Sequence, residues 1–385
     1  MSLFARSLVC AAVAFCLPTL AWGQVESESA PVADQAPPIA DERPIGQLSG
    51  RIAYNTEDEF VLGVGFLTER LFGRDQSLRF DAEAMQSGTR LSFSYLNDRI
   101  AGGSPRFGLR LFRTDTQPGN AYDFDSVVLG VVPRLSWDLG QGSTASVYAM
   151  YSDGEISNVA PDASILIRND EGGQSASAVG SEVNLRLPGA GGVRRDTRVS
   201  LDLAYGSTSR GNDFLRYMLR LDMLFAPKSG NVVFRSQLRA GGIDSTSGTT
   251  SIGDRFMLGD SSLRGFAFGG FGPRDLAAGE AALGGNRFAV ARFDAQFPNF
   301  FGDAAGQLTP GLFLDGGSLW DLDDAAGGLL GADAVDDGRN FRASVGVTLK
   351  IDTGFGPIDL YLAHPFERED YDATQAIGLI YSRRF

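Results

Sequence analysis

The chain has 385 residues, 43% of them hydrophobic and 21% charged, which excludes a disordered polymer too polar to hold a core. A net charge of −13, from 34 Lys and Arg against 47 Asp and Glu, argues against a nucleic-acid surface, which needs a basic stripe to neutralise phosphates. Lys228 and Lys350 are the only lysines, so the cations are almost wholly Arg, the residue suited to paired, poorly hydrated charge.

Residues 1–23 predict a cleaved export signal: Arg6, an apolar run from Leu8 to Ala21, and small Ala21 and Gly23 placed before Gln24. Both cysteines, Cys10 and Cys16, lie within it, so the mature chain is expected to carry neither a disulfide nor a Cys-based metal site. Residues 24–46 are acidic and Pro-rich without a period and read as a disordered tail. Residues 47–385 form the third unit, and its rhythm is that of strands. In Leu215 to Phe225 the apolar Leu215, Tyr217, Leu219, Leu221, Met223 and Phe225 alternate with Arg216, Arg220 and Asp222. Phe341, Ala343, Val345, Val347, Leu349 and Ile351 repeat the pattern.

Segments of this kind start near residues 48, 60, 77, 89, 106, 127, 144, 178, 197, 215, 231, 287, 310, 341, 357 and 375. Each is about 8 to 11 residues long, the length of a tilted strand crossing a bilayer. No stretch has the roughly 18 uninterrupted apolar residues of a spanning helix. The expectation is an all-β fold: a 16-stranded antiparallel transmembrane β-barrel, its strands closed on one another because lipid offers no hydrogen bonds. The three longest gaps, residues 152–177, 241–286 and 318–340, follow the seventh, eleventh and thirteenth segments, so all fall on one face, external if the amino terminus is periplasmic.

Alternation also predicts a lumen lined by Arg79, Asp81, Glu83, Arg216, Arg220, Asp222, Arg292 and Asp294. The last segment carries Ile377, Leu379, Tyr381 and a terminal Phe385 on one face. An apolar alternation ending on an aromatic resembles the signal by which outer-membrane barrels are recognised for assembly, so the bacterial outer membrane is the expected location.

After the eleventh segment comes a long loop containing Arg264, Gly265 and Phe266, and the thirteenth contains Phe313, Asp315 and Gly317. Arg342 to Gly346, Gly356 to Pro365 and Gly285 to Val290 add further matches in order. Together these resemble the BamA/TamA superfamily of outer-membrane barrels, the bacterial surface antigen type, with its Arg-Gly-Phe loop and its Phe-x-Asp-x-Gly strand. The resemblance implies a loop folded into the lumen and a role in outer-membrane protein insertion, assembly or polypeptide translocation. Physical chemistry supplies a reason for the pairing. A guanidinium in a water-poor lumen needs a carboxylate able to accept two parallel bonds, and Asp315 is the expected acceptor for Arg264. Gly265 would turn the backbone, Phe266 would pack on the inner wall, and Gly316 and Gly317 would leave room opposite.

The family sets POTRA domains between signal and barrel, whereas residues 24–46 are too few for one, so a barrel lacking POTRA domains is expected. Expected partners are outer-membrane lipid and lipopolysaccharide, client outer-membrane polypeptides, and periplasmic or barrel-associated accessory proteins. Gly50, Gly378 and the polar Ser382, Arg383 and Arg384 suggest a weakly closed seam between first and last strands. A passive solute pore, or a structural or accessory barrel subunit, is the alternative.

No enzyme chemistry is legible. A Gly-x-Ser-x-Gly elbow is missing, and the lone His364 precedes Pro365 at the expected end of the fifteenth strand. No cofactor or metal is expected, and Asp321, Asp323, Asp324, Asp333, Asp336 and Asp337 read as a solvated acidic loop held extended by self-repulsion.

Overall fold

A computed structural model describes residues 46–385, except 56–58, 70–75, 99, 101–104, 119–123, 189–193, 228–230, 299, 301–306, 354–355 and 385. The expected signal peptide, the tail up to residue 45 and the terminal Phe385 lie outside the described residues. The wall begins with β1 (Gly46–Asn55), β2 (Glu59–Glu69), β3 (Gln76–Met85), β4 (Gly88–Asn97), β5 (Arg106–Thr116), β6 (Asp125–Gly140), β7 (Ser143–Ser157) and β8 (Gly172–Pro188). It continues with β9 (Arg194–Thr208), β10 (Asp213–Ala226), β11 (Val233–Ser247), β12 (Arg287–Gln296), β13 (Leu308–Trp320), β14 (Arg342–Thr353), β15 (Gly356–Glu367) and β16 (Ile377–Arg384). All pair antiparallel with their chain neighbours, and β16 returns to β1 to close the barrel.

Period-two patterning makes this wall. Leu62, Val64, Phe66, Phe80, Phe93, Val179, Phe293, Leu312 and Leu314 stand exposed on its outside, where they form an apolar belt. Their strand neighbours point inward, and there the charges pair along the strands: Arg79 Nε reaches Asp81 Oδ2 at 2.7 Å, and Arg220 Nε reaches Asp222 Oδ2 at 2.7 Å.

Strand lengths differ from expectation. β6, β7 and β8 run 16, 15 and 17 residues, because hairpin pairing continues beyond the apolar belt, as in Asp153 with Ser175. The first long connection therefore shrinks to residues 158–171, and it holds a one-turn helix, α1 (Ile165–Arg168), capped by Ser164. The other long connections are residues 248–286 and 321–341, at the same end of the barrel. β15 passes through Pro365 to Glu367, so His364 is not at its end but sits exposed within it, opposite Val345.

The core lies inside the barrel. The 248–286 loop folds into the lumen, and its Phe256, Leu258, Leu263, Phe266 and Phe271 pack on Phe214, Ile243, Phe288, Val290 and Leu319 of the wall. A second cluster joins Phe268 and Leu283 of that loop to Leu166 and Ile167 of α1 and to Leu322 and Val335 of the 321–341 loop. At roughly 2 kcal/mol for each large apolar side chain removed from water, these clusters hold the loop firmly in place.

Candidate functional site

Arg264 sits where the lumen loop meets the β12–β14 wall. Asp294 lies on β12, Phe313 and Asp315 on β13, and Ser344 on β14, and the register sets Asp294 beside Phe313 and Asp315 beside Ser344. Three neighbouring strands thus aim their inward side chains at one point. Arg264 Nε and Nη2 donate to Asp315 Oδ2 and Oδ1 at 2.8 and 2.7 Å, and the Arg264 amide donates to Oδ2 at 3.1 Å. Nη1 and Nη2 donate to Asp294 Oδ1 and Oδ2 at 2.7 and 3.2 Å. The Phe313 ring lies beneath, its centroid 3.8 Å from the guanidinium carbon, and Ser344 Oγ donates to the Arg264 carbonyl.

Arg264 is 4% exposed and Asp315 1%, so this pair is desolvated and needs every one of these bonds. Burial alone would lower the guanidinium pKa. The hydrogen bonds and charges of Asp315, then of Asp294, outweigh burial and hold it above its ordinary value.

Gly265 has a φ of +97°, and an added Cβ would stand 3.1 Å from Ser344 Cβ and 3.2 Å from Pro365 Cγ. A side chain there would be both strained and crowded. Phe266 is fully buried, edge-to-face with Phe271 at 5.4 Å. Gly317 packs on Val290, as an inward neighbour should. Gly316 does not face Arg264: next in the strand to Asp315, it points to the opposite face, where it accommodates the ring of Phe341.

Several participants were absent from the sequence reading. Asp294, expected only as a lining residue, is the second carboxylate. Tyr361 on β15 donates to Asp260 Oδ2 at 2.9 Å, which anchors the loop one turn earlier. The stretch before β16 is tied to the loop by backbone bonds: Ala267 N to Ala373 O, Ala373 N to Gly270 O and Gln375 N to Gly265 O, each 2.9 Å. Arg342 Nε and Nη2 bind Asp372 at 2.8 and 3.0 Å, and Tyr371 donates to Asp336 at 2.7 Å. No local spacing signals these contacts, because the partners come from segments far apart in the chain.

The acidic 321–341 loop is not an extended, self-repelling strand. Asp323 accepts from Thr250 N at 2.8 Å and Ser245 Oγ at 2.7 Å, and Asp337 accepts from Leu322 N at 3.3 Å. Its carboxylates are spent on backbone and hydroxyl donors, which relieves their repulsion. Ile377 is exposed outward on β16 and Leu379 is half-buried; the side chain of Tyr381 lies outside the described residues.

A model of the Omp85 superfamily domain matches residues 70–385. The chain belongs to the Omp85 superfamily. It is 25% identical over 326 residues to the outer membrane protein assembly factor BamA of Neorickettsia risticii (strain Illinois), an alignment covering 84% of this chain and 42% of that protein. The chain thus spans less than half the length of this curated relative. Its fold is similar to the crystal structure of BamA from Haemophilus ducreyi lacking POTRA domains 1-3, with a TM-score of 0.71, 16% identity, and coverage of 90% of this chain and 71% of that one. CdiB from Escherichia coli shares the fold at a TM-score of 0.61 and 13% identity, over 90% of this chain and 64% of that one. This is an outer-membrane β-barrel of the BamA/TamA type, in a superfamily of assembly and transport factors.

Proposed function

We propose that this Omp85 barrel assists the insertion or assembly of outer-membrane polypeptides, with residues 1–23 directing its export. The observation that carries the reading is the lumen loop, locked by Arg264 between Asp294 and Asp315 and bonded through residues 265–270 to the stretch that leads into β16. β16 is the most lightly held strand of the wall: it pairs with β1 over Leu379–Arg384 and Ser49–Tyr54 and with β15 over Ile377–Tyr381 and Ile358–Leu362, whereas β1 pairs with β2 along its whole length. An end strand held by so few pairs on either side is where the wall would part and present an unpaired edge to a client strand. BamA is an assembly factor by name, which supports client polypeptides and accessory proteins as partners. Lipid and lipopolysaccharide would bathe the apolar belt.

Depletion of the protein, followed by a quantitative census of outer-membrane proteins, tests the reading. A selective fall in barrel proteins is expected, and an unchanged census would remove the proposal. The alternative, a passive pore, predicts a large steady conductance in planar bilayers that is indifferent to Arg264→Ala.

A further inference from the structure

Beside the lumen loop, the inner wall of β10–β12 is crowded with arginine. Register places Arg220 directly opposite Arg239, and Gln237 opposite both Asp222 and Arg292. Arg235 lies opposite Asp294. All of these share the inward face, since Leu238, Met223 and Phe293 between them are exposed on the outer one. Side chains directly opposite in a sheet stand about 5 Å apart at Cβ, and like charges in that position repel. The chain as a whole carries −13, so an excess of cations here is not a matter of composition.

The neighbouring acids are already engaged. Both oxygens of Asp294 bind Arg264, and those of Asp315 do so as well. Asp222 Oδ2 binds Arg220 at 2.7 Å, and its Oδ1 accepts from Gln237 Nε2 at 2.6 Å. Arg292 borders the patch, its Nη1 donating to the Ser261 carbonyl at 2.5 Å and its Nε 3.6 Å from Asp315 Oδ2. Arg235 is exposed to the lumen and has no hydrogen-bond or ion-pair partner among the described residues.

We infer that Arg220, Arg235, Gln237 and Arg292 form an oxyanion site in the periplasm-facing lumen that receives an acidic segment of a polypeptide. Guanidinium forks match carboxylate oxygens in pairs. The row crosses three adjacent strands, about 10 Å at roughly 4.8 Å per strand, wider than one phosphate and suited to several carboxylates on one chain. Arg235 stands two residues from the short-turn end of β11, so the ligand enters from that mouth. The inference gives the proposed assembly role a client feature and rests on that reading for its biological sense. Binding itself is measured without any insertion.

The purified barrel in lipid nanodiscs is titrated with fluorescein-labelled octaglutamate and octaglutamine, read by anisotropy. Octaglutamate should bind and octaglutamine should not. Arg235→Gln, an exposed change whose folding is checked by heat-modifiable migration, should weaken octaglutamate binding by roughly tenfold, the value of one charge-assisted contact. Arg113→Gln, at an exposed ion pair with Asp115 elsewhere on the barrel, should not. Equal binding of both peptides, or full binding by Arg235→Gln, would overturn the site. Inorganic phosphate competing as strongly, mole for mole, as octaglutamate would overturn the polypeptide assignment in favour of a small anion. Octaglutamate binding with an unchanged outer-membrane census would leave the site standing and remove the assembly role, so the two failures are distinguishable.

Discussion

Arg264 shows how one side chain can hold a loop of nearly forty residues, 248–286, inside a barrel. Its guanidinium is sandwiched between two carboxylates and a ring, and removal leaves Asp294 without this partner and the buried Asp315 with only Arg292, 3.6 Å away. Arg264→Ala should therefore destabilise the folded barrel by about 3–5 kcal/mol, measured as a shift in urea unfolding of the reconstituted protein. Arg264→Lys should recover little of this, because an ammonium cannot serve two carboxylates in forked geometry. A milder residue-scale effect belongs to Asp170, which precedes β8 and accepts from Ile252 N at 2.6 Å. Burial raises its carboxyl pKa above the ordinary 3.8, with Arg255 only partly opposing the shift. The folded state then binds this proton more readily than the unfolded state. Loop docking should weaken as pH rises from about 3.8 through the raised value, and Asp170→Asn should flatten that part of the profile of limited proteolysis. The Arg264–Asp315 pairing was legible because the two motifs that carry them stand in family order. Asp294 was not, because an Arg-x-Asp on an alternating strand reads only as lumen lining.

At the scale of strands, the wall repeatedly sets an aromatic ring over a glycine of the next strand. Phe112 lies opposite Gly130, Phe214 opposite Gly206, Tyr217 opposite Gly242, Phe288 opposite Gly241, Phe313 opposite Gly346 and Tyr361 opposite Gly378. In each the space a Cβ would take is filled by the ring, as for Gly346, where it would stand 2.5 Å from Phe313 Cε1. Phe313 is also the floor under Arg264, so the two devices are mechanically joined. Gly346→Ala should push the ring into the guanidinium and cost about 1–3 kcal/mol of barrel stability, read in the same urea titration. Gly378 likewise serves Tyr361 rather than a loose seam. Strand positions were legible from alternation alone, and even β8, the segment placed least well, begins at Gly172 rather than near 178. Alternation could not show where pairing stops, because beyond the apolar belt the outward residues turn polar while the backbone ladder continues.

For the molecule as a whole, the long connections at one end of the barrel form one body. Asp275 Oδ2 accepts from Ser164 Oγ at 2.6 Å and Gly328 N at 2.7 Å, which joins the lumen loop to the 158–171 and 321–341 connections. Arg274 and Asp336 exchange backbone bonds of 2.9 Å alongside. The barrel closes through the β1–β16 seam, where Tyr54 lies opposite Leu379. In a background with Cys10 and Cys16 replaced, Tyr54→Cys with Leu379→Cys should form a disulfide across the seam on oxidation, seen as altered migration on non-reducing gels. Under the proposed function the oxidised form should fail to support outer-membrane assembly and recover on reduction. The sequence by itself determined the strands, their even number and the face on which the long loops fall, because period-two burial and loop length are local properties of the chain. Only the tertiary structure decided which carboxylates meet Arg264, which loops converge on Asp275 and which arginines crowd one wall. Those depend on the stagger between strands and on a loop threading the lumen, and both are settled by pairing between residues far apart in the chain.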